Sequence, residues 1–240
     1  MAIRSEAAFT EGFTDGWIRR YAASAAATEA ELSALDQQVG DGDFGANLVA
    51  GLQAAVRLLG ELDESGAASA AGPLEAAAAA FLDEVGGTSG PLFGLLFQEM
   101  AVAVAASHNG LFVGSLATGI GNGLSAIQRV GEAAVGDKTL VDALVPACTA
   151  LASYPSSADP VEALSHAARA AWEGVANTAR LTARSGRASY VGDRAAGVPD
   201  PGAVGIGLLF SAAERTVTEL APMLRGPEPL PESVAVERGA

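Results

Sequence analysis

Aromatic residues are scarce in this chain. Eight Phe, two Trp and three Tyr make up 5% of 240 residues, although 50% of the sequence is hydrophobic. Alanine runs such as Ala76 to Ala80 recur, so the core must be built from small and aliphatic side chains, which favours closely packed helices over a β-sandwich. Cysteine is nearly absent. Cys148 stands alone, which excludes an intramolecular disulfide and a cysteine-based zinc cluster; it reads as a small buried hydrophobe in a helix. Positive charge is sparse as well: 14 scattered Lys and Arg face 28 Asp and Glu, for a net charge of -14. No basic stripe offers itself to nucleic acid, and a bound phosphate would need metal ions as intermediaries. No segment has ~20 uninterrupted apolar residues, and Met1 to Trp17 contains no apolar signal region. No membrane span is expected, and the default location is the cytoplasm.

What is present is length and helical periodicity. A chain of this size and hydrophobicity can bury a substantial core. The expectation is one helical domain over residues 1–225, followed by a poorly ordered tail at 226–240 that carries Pro227, Pro229 and Pro231. Phe9, Phe13, Trp17, Ile18 and Tyr21 share one side of a first helix. Similar stripes predict helices near 28–38, 45–60, 73–85, 91–107, 113–130, 139–153, 160–182 and 202–223. Alternating strands and internal repeats are missing. The breaks at 40–45, 86–90, 136–138 and 185–202 are rich in glycine and aspartate, a composition that brings backbone amides close to a ligand.

The most informative stretch is LDQQVGDGDFGAN, residues 35–47, which places Asp36, Asp41 and Asp43 within eight positions around glycine turns. Crowded carboxylates are costly unless cations neutralise them. Gly40, Gly42 and Gly45 satisfy the G-x-G-x-x-G spacing of dinucleotide-binding folds, but the preceding residues look helical and two aspartates inside the loop would repel a bare pyrophosphate. An EF-hand starting at Asp41 would need a glutamate where Leu52 stands. Two readings survive for the loop alone: a hard-cation site for Mg²⁺, with coordination positions left for phosphate oxygens, or a solvated Asp-Gly turn ahead of a helix.

Three other loops are compatible with either a ligand or a simple structural role. Gly86-Gly87-Thr88-Ser89-Gly90-Pro91 supplies amides and hydroxyls before an apolar helix, as an anion site or as a helix cap. Gly136-Asp137-Lys138-Thr139 starts the helix with Val141, Leu144 and Val145, and in the plain reading Asp142 faces solvent. Ser185-Gly186-Arg187-Ala188-Ser189-Tyr190, then Asp200-Pro201-Gly202-Ala203, offers a guanidinium fork and a helix start, or a surface ion pair.

Four pieces stand in order over residues 35–203: LDQQVGDGDFGANL, GGTSGPLFG, GDKTLVDAL and GRASYVGDRAAGVPDPGA. Together they resemble the L subunit, or L domain, of dihydroxyacetone kinases (the DhaL or DAK2 family). That resemblance implies an all-α fold, an antiparallel barrel of about eight helices with the nucleotide site at one end. It implies ADP or ATP held through Mg²⁺, as two ions, on Asp36, Asp41 and Asp43. It further implies nucleotide contacts from Phe44, Gly45, Ala46, Asn47, Thr88, Ser89, Thr139, Arg187, Asp200, Pro201 and Gly202. Thr88 and Ser89 would hold terminal phosphate oxygens and Arg187 would compensate charge. In that family the short ketose, dihydroxyacetone or a relative, is held by a histidine of a separate K-type subunit or domain, while the L part presents the phosphoryl donor.

His108 and His166, the two histidines here, lie outside recognisable site motifs, and no residue stands out as a general base. The family pattern reads GDGDHG; this chain has Phe44 at the histidine position, which keeps a flat ring and loses both ring nitrogens. No K domain is expected beside the recognisable region. That favours the mode in which ADP is a resident cofactor recharged by a phosphotransferase-system protein, with an ATP-dependent L-type subunit and a non-catalytic nucleotide-binding module as alternatives.

Overall fold

The computed structural model describes residues 2–65, 69–107, 111–190 and 195–225, with side chains throughout except at 2–11, 63–65 and 187. Among the described residues there are helices and no strands. The main elements are α1 (Ala2–Val39), α2 (Phe44–Ser65), α3 (Gly72–Glu84), α4 (Ser89–Ala105), α5 (Phe112–Gly131), α6 (Val141–Ala152), α7 (Pro160–Thr178), α8 (Pro201–Ser211) and the short α9 (Ala221–Leu224). A 3-10 turn, Arg187–Tyr190, interrupts the connection between α7 and α8.

Each of the first seven helices packs on its successor, and α8 packs back on α1. The ring is therefore closed, an antiparallel barrel of eight helices around one continuous core. The closing seam is specified by two aromatic side chains with polar ends: Trp17 Nε1 donates to the Leu209 carbonyl at 2.7 Å and the Tyr21 hydroxyl to that of Gly205 at 2.9 Å. Both rings are fully buried, and each buried bond contributes about 1 kcal/mol net. With few aromatics available elsewhere, helices approach through glycine. A Cβ on Gly119 of α5 would stand 2.7 Å from the Cα of Met100 in α4, so the α4 and α5 backbones meet where larger residues would hold them apart.

Two expected boundaries fail. The first helix and the one expected at 28–38 are a single helix, because Ala22 to Thr28 contains no breaker and the hydroxyls of Ser24 and Thr28 bond back to the carbonyls of Arg20 and Ser24 at 2.8 Å. The last helix was expected to reach 223, yet α8 stops at Ser211. The chain then returns across α1, with Arg20 donating to the Ala212 and Ala213 carbonyls at 2.7 Å and the Val217 amide donating to Ser24 Oγ at 2.9 Å. Residues 226–240, expected to form a tail, and His108 lie outside the described residues. No described helix is long and apolar enough to cross a membrane.

An up-and-down ring sorts its connections. Those from α1 to α2, α3 to α4, α5 to α6 and α7 to α8 fall at one end, and these are the four glycine- and aspartate-rich breaks of the sequence.

Candidate functional site

At that end the N-termini of α2, α4, α6 and α8 converge. Asp36, in the last turn of α1, is buried, and its Oδ2 accepts the Phe44 amide at 3.0 Å, satisfying an amide that the start of α2 leaves open. Gly42 makes the turn between them at φ +83°, a conformation cheap only for glycine. The fold thus brings carboxylate oxygens of Asp36, Asp41 and Asp43 within 4.8 Å of one another, Asp36 buried and the other two exposed. Three hard oxygen ligands at this separation suit a small divalent cation.

Opposite them, Gly87 turns the chain at φ +75° and α4 begins at Ser89. Thr88, in the N-cap position, makes no side-chain cap bond, so the first amides of α4 face the cleft without an internal acceptor from that residue. The loop before α6 is more elaborate. Glu132, Gly136 and Lys138 all have positive φ, and Asp142 holds the loop by accepting the Gly136 amide at 2.6 Å and the Thr139 amide at 2.9 Å. Asp142 is buried, contrary to the solvent-facing position of the plain reading, because the left-handed turns fold two amides back onto its carboxylate.

The fourth wall is the segment before α8. Val39 at the end of α1, Ala188 and Ala195 form a small apolar cluster that fastens it down, with Ala183 and Val198 packed alongside. Asp200 caps α8, its Oδ2 accepting the Ala203 amide at 2.7 Å. Burial pushes the Asp200 carboxyl up to about 7; the Ala203 amide and Lys138 oppose that rise, while the charges of Asp142 and Asp36 add to it. Burial likewise lowers Lys138, against the pull of Asp200 and Asp142.

A cleft of about 150 Å³ lies among these walls. Asp36, Asp41, Asp43, Phe44 and Asn47 line it from the first loop. Thr88 and Ser89 face them, and Thr139, Asp200, Pro201 and Gly202 complete the set read from the sequence. Two expected residues are not brought to it. Gly45 is pressed against α1, where a Cβ would meet Ser33 Oγ at 2.5 Å and the Glu29 carbonyl at 2.7 Å, and Ala46 is exposed on the outer face of α2. The Arg187 side chain lies outside the described residues. Val39, Leu92, Lys138 and Leu140 also line the cleft; the sequence reading gave none of the four a role in the site.

Phe44 is buried, its ring 6.3 Å from that of Phe93. Phe93, Phe81, Phe97 and Tyr21 continue this column into the core at successive centroid distances of 5.7, 5.6 and 6.5 Å. At this position the chain has an apolar floor for the cleft. One side of the site is thus acidic, another offers helix amides, and the rest is apolar.

Residues 38–215, well over half of the chain, match the DAK2 domain. The chain belongs to the DAK2 domain family. This DAK2 chain is 37% identical over 171 residues to the ADP-binding subunit DhaL of PEP-dependent dihydroxyacetone kinase 2 from Listeria innocua, covering 71% of this chain and 78% of that one. It is 38% identical over 191 residues to L-erythrulose 1-kinase from Mycolicibacterium smegmatis, covering 79% of this chain and 33% of that one. The DAK2 chain therefore spans about a third of the length of that relative. Its fold is similar to the dihydroxyacetone kinase from C. freundii in complex with AMP-PNP and Mg2+, with a TM-score of 0.58 and 27% identity, covering 85% of this chain and 33% of that one. The matched DAK2 region contains Asp41 and Asp43 and begins two residues after Asp36.

Proposed function

We propose that this DAK2 protein is the nucleotide-carrying L-type subunit of a dihydroxyacetone-kinase-like system, presenting a phosphoryl group to dihydroxyacetone or a related short ketose held by a K-type partner. The observation that carries the reading is the meeting, in one cleft, of three aspartate carboxylates within 4.8 Å and the N-terminus of α4. Asp36, Asp41 and Asp43 would hold Mg²⁺, which when bound neutralises phosphate charge.

The chain's own residues divide the remaining tasks. Asp36 fixes the loop by holding the Phe44 amide. Thr88, Ser89 and the first amides of α4 bind phosphate oxygens, and the helix N-terminus adds favourable field. Phe44, Leu92 and Leu140 exclude water from one side of the bound nucleotide, while Asp200 keeps the α8 wall in place. Positioning and charge compensation are what phosphoryl transfer asks of a protein.

Similarity to a PEP-dependent ADP-binding subunit over most of its length supports ADP as a resident cofactor, recharged by a phosphotransferase-system protein. The test is purification with nucleotide and metal analysis, followed by transfer assays with K-type partners, dihydroxyacetone and erythrulose, driven either by ATP or by a PEP-fed donor. Co-purified ADP and PEP-driven turnover are expected. Turnover with ATP alone would replace the cofactor mode by direct ATP use. Nucleotide binding without transfer under any combination would make the protein a binding module, and no adenine nucleotide bound at millimolar Mg²⁺ would refute the site itself.

A further inference from the structure

Lys138 is the only lysine in the chain, against 13 arginines, and it is 1% exposed. Lysine is ordinarily a solvated surface residue, so a sole lysine buried beside a phosphate-type cleft calls for a local cause. Its backbone is left-handed, φ +61°, which turns the side chain inward from the loop before α6. There Nζ donates to the Thr178 carbonyl at the end of α7, 2.6 Å away, and to the Val198 carbonyl, 2.7 Å away.

Both acceptors lead to the same place. Thr178 Oγ1 accepts the Asp200 amide at 2.9 Å, and Val198 stands two residues before Asp200. Asp200 in turn caps α8. A Cβ on Gly202 would stand 3.3 Å from Leu140 Cβ, so the first turn of α8 rests on the loop that carries Lys138. One ammonium thus ties three separate segments together beside the cleft wall formed by Pro201 and Gly202.

We propose that Lys138 is a positioning residue for nucleotide binding: its ammonium clamps the end of α7 and the segment before α8 to the loop before α6, and so sets where the α8 wall of the cleft stands. The inference rests on the reading of the cleft as a nucleotide site. A methionine at 138 fills the same space without donors, releasing both carbonyls and removing the positive charge that acts on Asp200. The metal ligands on the first loop are untouched by it.

The test compares Lys138→Met with Leu151→Ala, a cavity in fully buried core near the other end of α6, by calorimetric titration of ADP in saturating Mg²⁺ well below either melting temperature. Lys138→Met is expected to weaken ADP binding roughly 10- to 100-fold, with Leu151→Ala within twofold of the parent. Lys138→Gln, which keeps an uncharged N–H donor group, is expected to fall between parent and Met, and carries the test if the Met variant does not fold. ADP affinity within twofold of the parent in the lysine variants, or a loss no larger than that of Leu151→Ala, would overturn the clamp while leaving the nucleotide site intact. Failure of the parent itself to bind ADP would sink both.

Discussion

The two ends of the barrel are built from the same helices and differ in how closely they crowd their carboxylates. At the far end, groups are consumed internally: Asp159 caps α7 through the Glu162 amide, Ser69 Oγ accepts the Gly72 amide, and Trp172 Nε1 donates to Ser211 Oγ at 2.9 Å. The return after α8 is stitched to α1 by Arg20 and Ser24. At the cleft end, carboxylates crowd one another and the start of α4 lacks a cap from Thr88. An end optimised for stability would not gather three aspartates within 4.8 Å. Among the described residues the three-carboxylate cluster belongs to the cleft end alone, and each variant below probes that contrast.

The largest effect is expected from Asp41→Asn combined with Asp43→Asn. Nucleotide affinity in Mg²⁺ should fall by about 100-fold or more, with the metal-free protein still cooperatively folded. Titration calorimetry and thermal unfolding together check this. Unchanged affinity would mean that the carboxylate cluster is not the metal site.

Phe44→His restores the residue of the family pattern and should cost stability, about 1–3 kcal/mol, because ring nitrogens would enter the aromatic column that continues through Phe93 without partners. Denaturant unfolding measures it. A neutral or stabilising result would show that the ring faces the cleft and water more than the core. At the far end, Trp172→Phe should cost about 1 kcal/mol by orphaning the buried Ser211 hydroxyl, with ADP affinity within twofold of the parent. A larger change in binding there would break the separation between the ends.

A separate effect concerns pH. Asp200 has an ordinary value of 3.8 and is raised to about 7 in the folded protein. Between those values the folded state holds a proton that the unfolded state has lost, so stability from this group is complete below about 4 and is lost as pH rises through 7. The metal-free parent should show that decline in unfolding curves from pH 4 to 8. Asp200→Asn, which still accepts the Ala203 amide, should flatten it; an equal slope in both would assign the decline elsewhere.

Much of this was legible in the sequence for local reasons. Glycine and aspartate mark the four cleft-end loops, and a long alternation of helices with short breaks puts alternate connections at one end. What escaped reading depended on contacts made through space. Continuity of α1 across Ala22 to Thr28 needs only the absence of a breaker, which a search for stripes undervalues. The stop of α8 at Ser211 follows from anchors on α1 nearly 200 positions earlier. Asp142 and Lys138 look like surface residues until the left-handed turns fold the loop over them. Gly45 was assigned to the ligand, whereas its lack of a side chain serves the contact of α2 with α1.

The most direct test of the cleft-end assignment is hydrogen exchange followed by mass spectrometry on the parent with Mg²⁺ and ADP, Mg²⁺ alone, and neither. The account predicts ADP-dependent protection at 40–47, 86–92, 136–142 and 198–204 that vanishes with a chelator, and no change at 153–160 or 212–220. Protection centred on the far end, or ADP-dependent protection that survives removal of divalent cations, would contradict it.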